Sequence, residues 1–564
     1  MKLLICILTI FPILLLSQWS ADPYSNSQIT DLAGEQVIPK IASNGSITYI
    51  GWYSSENGNY NVRLQKFDEQ GNEQWEQNGL LISVHTSMSW LTDWDMTIDQ
   101  ENYAILTFQD IRNGGNNNIY AYRISPEGAF TWGDDGLELS NSPDFDASPK
   151  AAATGSGNII VSWQADEVII IQKISPDGNL LWGENGMVLS CDDTYSWPQL
   201  LPAGDDDVIL KFFEDSGPVW APVRHVFARR FDADGNPVWD NDVIISAAGG
   251  ISAWTQVFPF INDGNDGFFI AWHDDRDSNS LASIFIQHIS SDGEILFNDD
   301  GIEVTTMPAR NHFYPDLAYL PSSEEVCIFW SEMDGNQNMR GVYGQKMNLN
   351  GDRLWSDNGT AFLELSNQDK QAITVRSAED DVIVIYEDYS FGNVVDNRVM
   401  AMRIDPEGNY VWDSEQVVLS SFPSSKMHQV TGYYQNEQLI TAWEDERNDG
   451  GDIYAQNVRI TGELGPSGVQ TENYDLQSSD LRINIYPNPF RSETTISCQF
   501  TEERTENTEI NIFNLKGQKV KNLQLSKPSN QQIVWNADEF PSGIYFLKLK
   551  SGSNSITKKM ILMR

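Results

Sequence analysis

The chain has 564 residues, with 36 Lys and Arg against 80 Asp and Glu, a formal net charge of −44, and 18 Trp. Its length exceeds one ordinary core, so several domains or one large repeat array are expected, and 40% hydrophobic with 11% aromatic residues exclude a disordered chain. The acidity excludes a nucleic-acid binder, which needs a basic face, and four Cys without CxxC spacing exclude a disulfide-dense scaffold or a Cys-rich zinc site.

At the N-terminus Lys2 precedes an unbroken apolar run from Leu3 to Leu16, followed by Ser17-Gln-Trp-Ser-Ala21. A basic start, an apolar stretch and small residues after it read as a signal peptide over residues 1–20, cut between Ser17 and Ala21. The run falls short of the roughly 18 apolar residues that span a bilayer, so the mature chain is expected to carry no transmembrane segment. Cys6 lies inside the run, so no lipid-anchored N-terminus is expected. Cys191, Cys327 and Cys498 remain, which allows one bridge at most and leaves stability to packing.

Residues 22–465 are a repeat. A hairpin of the type Tyr60 to Trp75 recurs at Ile119 to Trp132, Val168 to Trp182, Val226 to Trp239, Ile284 to Phe297, Val342 to Trp355 and Val399 to Trp412, with an eighth copy from Ile453 that loses the Trp. The turn glycines Gly71, Gly128, Gly178, Gly235, Gly293, Gly351, Gly408 and Gly462 stand 50 to 58 residues apart, and an aromatic follows seven of them by four residues. A strand-only period of that length predicts an all-β, eight-bladed β-propeller of four-stranded blades, with seven blades as the alternative. The first strands follow cues such as Pro39, Pro149, Pro198 and Pro315, and the second are apolar runs ending in an aromatic, as in Phe268 to Trp272. Pro presets a turn position and Gly re-enters the strand, so the aromatic beyond is expected to wedge between blades. The eighth copy lacks a fourth strand, and residues near 22–32 are expected to supply it and close the ring.

Six second strands place an acid after the aromatic: Asp110, Glu214, Asp274, Glu332, Asp388 and Asp445. Arg112, Arg276 and Arg447 follow three of these acids by two residues. Such a repeated position reads first as an ion pair that sets hairpin geometry. The functional alternative is a carboxylate ring able to hold Ca²⁺ through oxygen ligands. An EF-hand reading of Asp232 to Asn236 fails, because the twelfth loop position is Val243 rather than Glu. The six His, at 85, 225, 273, 288, 312 and 428, show no HExxH or HxH spacing, and no G-x-S-x-G, Walker or Rossmann motif occurs.

The blade pattern is similar to that of quinoprotein dehydrogenases, whose repeats also place Trp four residues after Gly. Their adjacent-cysteine pair has no counterpart here. Ser175-Pro-Asp177-Gly178 to Trp182 resembles a sialidase Asp-box with its Gly one residue early, and no arginine triad accompanies it. Both resemblances imply the fold and neither implies the activity.

Residues 466–480 read as a linker, and charge then changes sign: residues 484–564 hold 11 Lys and Arg against 7 Asp and Glu. Alternating runs at 481–485, 494–498, 509–513, 532–535 and 544–549 predict a small immunoglobulin-like β-sandwich over 481–564. Tyr486-Pro487-Asn488-Pro489-Phe490, Ile512 to Gln518, Pro541-Ser-Gly543-Ile-Tyr545 and the ending Lys558-Lys559-Met560 resemble the type A C-terminal sorting domain of the type IX secretion system. The resemblance implies passage through an outer-membrane translocon, removal of this domain by a sortase-like protease, and release or attachment to surface lipopolysaccharide. An adhesive module of the same fold is the alternative.

Together these readings describe a secreted or cell-surface propeller acting as a non-enzymatic binding or adhesion protein for a glycan or protein partner. No cofactor is certain, with Ca²⁺ possible through the acids named above. The alternative is an extracellular polysaccharide hydrolase or lyase using face carboxylates. An irregular blade with a non-repeated insertion would favour the enzyme, and the best local candidate is the insertion from Asp215 to Arg224, with Trp220 and His225 nearby.

Overall fold

The computed structural model describes residues 18–87, 94–218, 220–390, 392–448, 450–466, 481–486, 490–500, 508–514, 516, 518–523, 531–551 and 554–562. Residues 1–17 of the expected leader and 467–480 of the expected linker lie outside the described residues. The chain divides into two units, Met1–Ser467 and Gly468–Arg564.

In the first unit, eight four-stranded sheets lie between Ser27 and Arg459. Seven are built from four strands in sequence order, as in Gln36–Asn44, Ile47–Glu56, Asn59–Phe67 and Leu80–Ser83. First strands of successive sheets touch one another, and Arg376 donates to the Thr431 carbonyl at 3.2 Å across the seam between the seventh and eighth. First strands therefore line an axis and fourth strands lie outside, which is a β-propeller. Second strands such as Phe268–Asp274 are almost wholly buried because both their faces meet neighbouring sheets, so they read as continuous apolar runs rather than alternating ones.

The seams are closed by the aromatics that follow the turn glycines. At Gly178, Gly235, Gly293, Gly408 and Gly462, a Cβ would meet Trp132, Trp182, Trp239, Trp355 and Trp412 of the preceding sheet. All five glycines hold a positive φ of +81° to +86°. The same five indoles donate Nε1–H to the carbonyls of Pro176, Ala233, Ser291, Pro406 and Ile460, two residues before each glycine. One contact thus supplies both apolar burial and a satisfied buried N–H.

The eighth sheet consists of Lys426–Thr431, Gln438–Asp445, Asp452–Arg459 and Ser27–Gln28, with Ser27 opposite Ala455. The aromatic missing from the eighth repeat comes from upstream of the expected closing segment. Trp19 is buried against Gly71 and Phe67 and donates its backbone N–H to the Gln70 carbonyl at 3.0 Å. Gln456 donates to the Ser20 carbonyl at 2.5 Å, so residues 18–21 belong to the packed unit. Setting the leader's end at residue 20 removes this wedge, a point to which the packing rather than the apolar pattern is sensitive.

The second unit has two antiparallel sheets, one of Leu481–Tyr486, Glu493–Phe500 and Gln531–Asn536, the other of Lys519–Leu523, Thr508–Asn514, Gly543–Ser551 and Asn554–Leu562. Phe490, Ile512, Trp535, Tyr545, Leu547 and Met560 are among the buried residues between them. The sequence reading missed Lys519–Leu523, whose residues are mostly exposed and carry no alternation.

Gly71 and Gly157 share a φ of +84°, but a Cβ on Gly71 would lie 2.4 Å from the Trp19 ring whereas one on Gly157 meets nothing closer than 3.9 Å. Gly157→Ala is expected to cost about 1–2 kcal/mol from backbone strain, and Gly71→Ala about 1–3 kcal/mol more from overpacking. Urea midpoints of the two variants check the difference.

Candidate functional site

Five of the six acids singled out in the sequence are committed to bases inside their own sheets. Arg112 grips Asp110 with Nε to Oδ1 at 2.9 Å and Nη2 to Oδ2 at 2.6 Å, and Arg276 grips Asp274 at 2.9 and 2.7 Å. Arg447 holds Asp445 at 2.6 Å. Each guanidinium stacks on the aromatic of the third strand, Tyr120, Phe285 or Tyr454, at 3.5, 3.3 and 3.9 Å from the ring centre. Each also donates to a carbonyl just before the fourth strand: Asp135, Asp300 and, in the eighth sheet, Ser25. The pair therefore ties second, third and fourth strands together, and Arg447 does so across the chain's closing point.

Glu332 accepts from Trp330 Nε1 at 2.7 Å and pairs with His312 at 2.6 Å and Arg310 at 3.3 Å, while Asp388 pairs with Lys370 and Arg398. Glu214 differs. It lies opposite His225 in the ladder, and its neighbour Asp215 makes the equivalent ion pair, with Arg224 at 2.7 Å. The apolar run of the strand Asp207–Ser216 ends in Phe212-Phe213, and the second aromatic sets the register, so the repeated position is Asp215. Among the described residues no group of three or more His, Cys, Asp or Glu stands close enough together to hold a metal ion.

The first strands carry a second repeated feature. Six have a bulge whose first residue holds a left-handed φ between +49° and +54°: Ile38, Ser148, Trp197, Tyr314, Ala372 and His428. The proline cues Pro39, Pro149, Pro198 and Pro315 immediately follow four of them, the place where a paired strand tolerates Pro. This conformation costs roughly 1–2 kcal/mol in a non-glycine residue, and bulges re-aim side chains.

At two such bulges the re-aimed residue is a large aromatic lining a cleft. The larger cleft, about 940 Å³, is bounded by Trp254, Phe258, Trp272, His273, Tyr314 and Gln371. A second of about 780 Å³ lies beside Trp197, Asp215, Pro222, Arg224 and Ala253. A third of about 360 Å³ holds Trp220 and Trp254 in common with the insertion after Asp215. Trp254 is 90% exposed, Trp220 84% and Tyr314 58%. Trp254 sits in residues 247–259, the longest connection between a fourth strand and the next first strand. That excess over the repeat is the sequence signal that could have found it. The expected insertion does reach the clefts, whereas His225 is not among the residues bounding them.

The Tyr314 N–H donates to His273 Nδ1 at 3.4 Å, as the Trp197 N–H donates at 3.3 Å to Oε1 of Gln164, which holds the same position after the second-strand Trp. Burial drives the His273 imidazole down to about 4, against a smaller opposing pull from Asp274, so it is a neutral acceptor at ordinary pH. Asp316 is the only carboxylate bounding the larger cleft, and burial raises its pKa although Arg376 stands at 3.2 Å.

Residues 484–563 match the family model of the secretion system C-terminal sorting domain. The C-terminal unit is a type IX sorting domain. The protein is thus directed by the type IX machinery to the cell surface or the extracellular space. In this domain Gly543 opens the strand Gly543–Ser551, and the Tyr545 hydroxyl donates to the Pro541 carbonyl at 2.7 Å, pinning the corner between them. Tyr486 ends the first strand, Lys558 is exposed in the last, and Lys559 lies beside it. Pro487, Asn488 and Pro489 lie outside the described residues. No helix among the described residues is long and apolar enough to cross a membrane.

No curated protein matches the sequence. Similar solved structures include the Dos1 propeller (11% identity, 78% of this chain, 95% of that chain, TM-score 0.43). Others are the β-propeller domain of the trilobed protease from Pyrococcus furiosus (9%, 69% and 99%, 0.37) and a xylan β-1,4-xylosidase from Bacillus halodurans (13%, 78% and 92%, 0.27).

A neutral His273 contributes stability fully above its unfolded pKa near 6.5 and loses it as pH falls toward about 4. His273→Gln, copying Gln164, keeps the acceptor and removes the titration. Between pH 7 and 4 the wild type is expected to lose about 2–3 kcal/mol more than this variant, read from paired urea curves.

Proposed function

We propose that this secreted propeller is a non-enzymatic binding protein whose ligand is an uncharged polysaccharide held in the clefts around Trp254. The observation that carries the reading is the meeting of exposed Trp254, Trp220 and Tyr314 with a nearly charge-free wall, in a chain of net charge −44. Flat aromatics exposed beside a cleft suit stacking on sugar rings, and few fixed charges suit a neutral chain. The residues giving this wall its shape are held by the strained bulge at Tyr314 and by neutral His273, so the platform is set before ligand arrives. Glycan display at a cell surface would make the protein an adhesin; cutting by a sortase-like protease, with attachment to lipopolysaccharide or release, would follow from the sorting domain.

A glycoside hydrolase of the usual kind needs two free carboxylates facing a bound chain. In the larger cleft Asp316 stands alone and paired, and in the second Asp215 is tied to Arg224, leaving Asp144, Asp166 and Glu167 at the rim. That rim is the place an enzyme reading would have to use.

The secreted protein, incubated with a panel of neutral and anionic polysaccharides with and without Ca²⁺, is expected to bind neutral chains without releasing sugar. Trp254→Ala should weaken that binding about tenfold or more, and Tyr314→Ala comparably. Released oligosaccharide would make it an enzyme, and binding only to protein ligands would overturn the glycan reading.

A further inference from the structure

We propose that leader removal cuts the peptide bond between Ser17 and Gln18, and that the segment beginning at Gln18 is the latch that closes the propeller. Seven wedge aromatics follow a turn glycine by four residues, but Gly462 is followed at that distance by Pro466, so the first seam has no local aromatic. Trp19 fills it. It is 2% exposed, its ring lies 5.2 Å from Phe67, and a Cβ on Gly71 would meet it as other turn glycines meet Trp132 or Trp239. The neighbouring backbone is pinned as well. The Gln18 carbonyl accepts from Ser27 Oγ at 3.3 Å, Ser20 N–H donates to the same hydroxyl at 2.8 Å, and Gly465 packs on Ala21.

Small residues that a signal-peptidase-type endopeptidase could take at the cut stand at Ser17, Ser20 and Ala21. Cutting after Ser20 or Ala21 discards Trp19 and opens the first seam. Only the Ser17 cut keeps the latch. Water is the co-reactant: the Ser17–Gln18 amide breaks, leaving a carboxylate on Ser17 and a free α-amine on Gln18, which is exposed. The apolar run ends at Leu16, three residues before Trp19, a reach of about 10 Å in extended chain. While the leader sits in the membrane, Trp19 cannot enter a seam buried between two sheets. Ring closure therefore follows the cut, and export and folding are ordered in time by the same residue.

The test is the N-terminus of the natively secreted protein, read by intact mass and terminal sequencing. The expected result is Gln18 or its cyclised form; a start at Ala21, Asp22 or beyond overturns the proposal. Independently, chains 18–564 and 22–564 are compared by thermal melting, with Trp19→Ala and Gln18→Ala in the longer one. Trp19→Ala should lower the propeller midpoint by about 5 °C and removal of 18–21 by at least as much, with Gln18→Ala neutral. Equal melting of 18–564, 22–564 and Trp19→Ala would overturn the latch.

Discussion

A tryptophan ring laid against a bare glycine Cα is the contact on which the propeller depends. The sheets are separate hydrogen-bonded ladders, and backbone joins one to the next only through isolated bonds such as Tyr195 N–H to the Glu167 carbonyl at 3.0 Å and His312 N–H to the Ala282 carbonyl at 2.9 Å. The continuous joining falls to side chains between sheet faces, and the repeated wedge supplies the largest ring available while its N–H finds the carbonyl two residues before the glycine. Replacing such a ring by Ala would cost roughly 3–5 kcal/mol, so one seam is a large share of a fold's net stability. Cys191 and Cys327 are both free, so no disulfide between them shares this load. The ring closes by the same ring-on-glycine packing, with the Trp19 backbone N–H rather than its indole N–H donating to the Gln70 carbonyl and the pair of Arg447 with Asp445 fastening the N-terminal segment.

The charged residues follow from that architecture. Second strands leave their buried cores at the acid position, where a carboxylate without a partner would be costly, so Asp110, Asp215, Asp274, Glu332, Asp388 and Asp445 each meet a base from their own sheet. Arg rather than Lys serves at Asp110, Asp274 and Asp445 because a planar group can grip a carboxylate, stack on a ring and reach a carbonyl at once. These charges are spent on geometry. Few of them reach the wall around Trp254, Tyr314 and His273, where the repeat is interrupted by a longer connection and a strained bulge.

Several of these features were open to reading in one dimension. The turn glycines, the aromatic four residues on and the apolar second strands recur at a period that only blades satisfy, and the sorting motifs stand in order at the C-terminus. The acid-and-arginine pairs were legible as pairs because the arginine follows the acid by two residues, just past the end of one strand. At Phe212-Phe213 the pattern had two possible registers, and only the ladder opposite Arg224 chose Asp215 over Glu214. The clefts were not legible, since their walls join residues from distant repeats, such as His273 with Tyr314 and Gln371.

Sequence alone determined the repeat, the four-stranded unit, the ion-pair positions and the export signal, because each is a matter of local spacing along one strand or turn. Tertiary structure alone decided that Trp19 stands in for the aromatic missing after Gly462, and that Trp254 and Tyr314 share one cleft. The reason is physical. A ring brings its first and last segments together and sets neighbouring sheets at a fixed stagger, and neither distance is written in residue number.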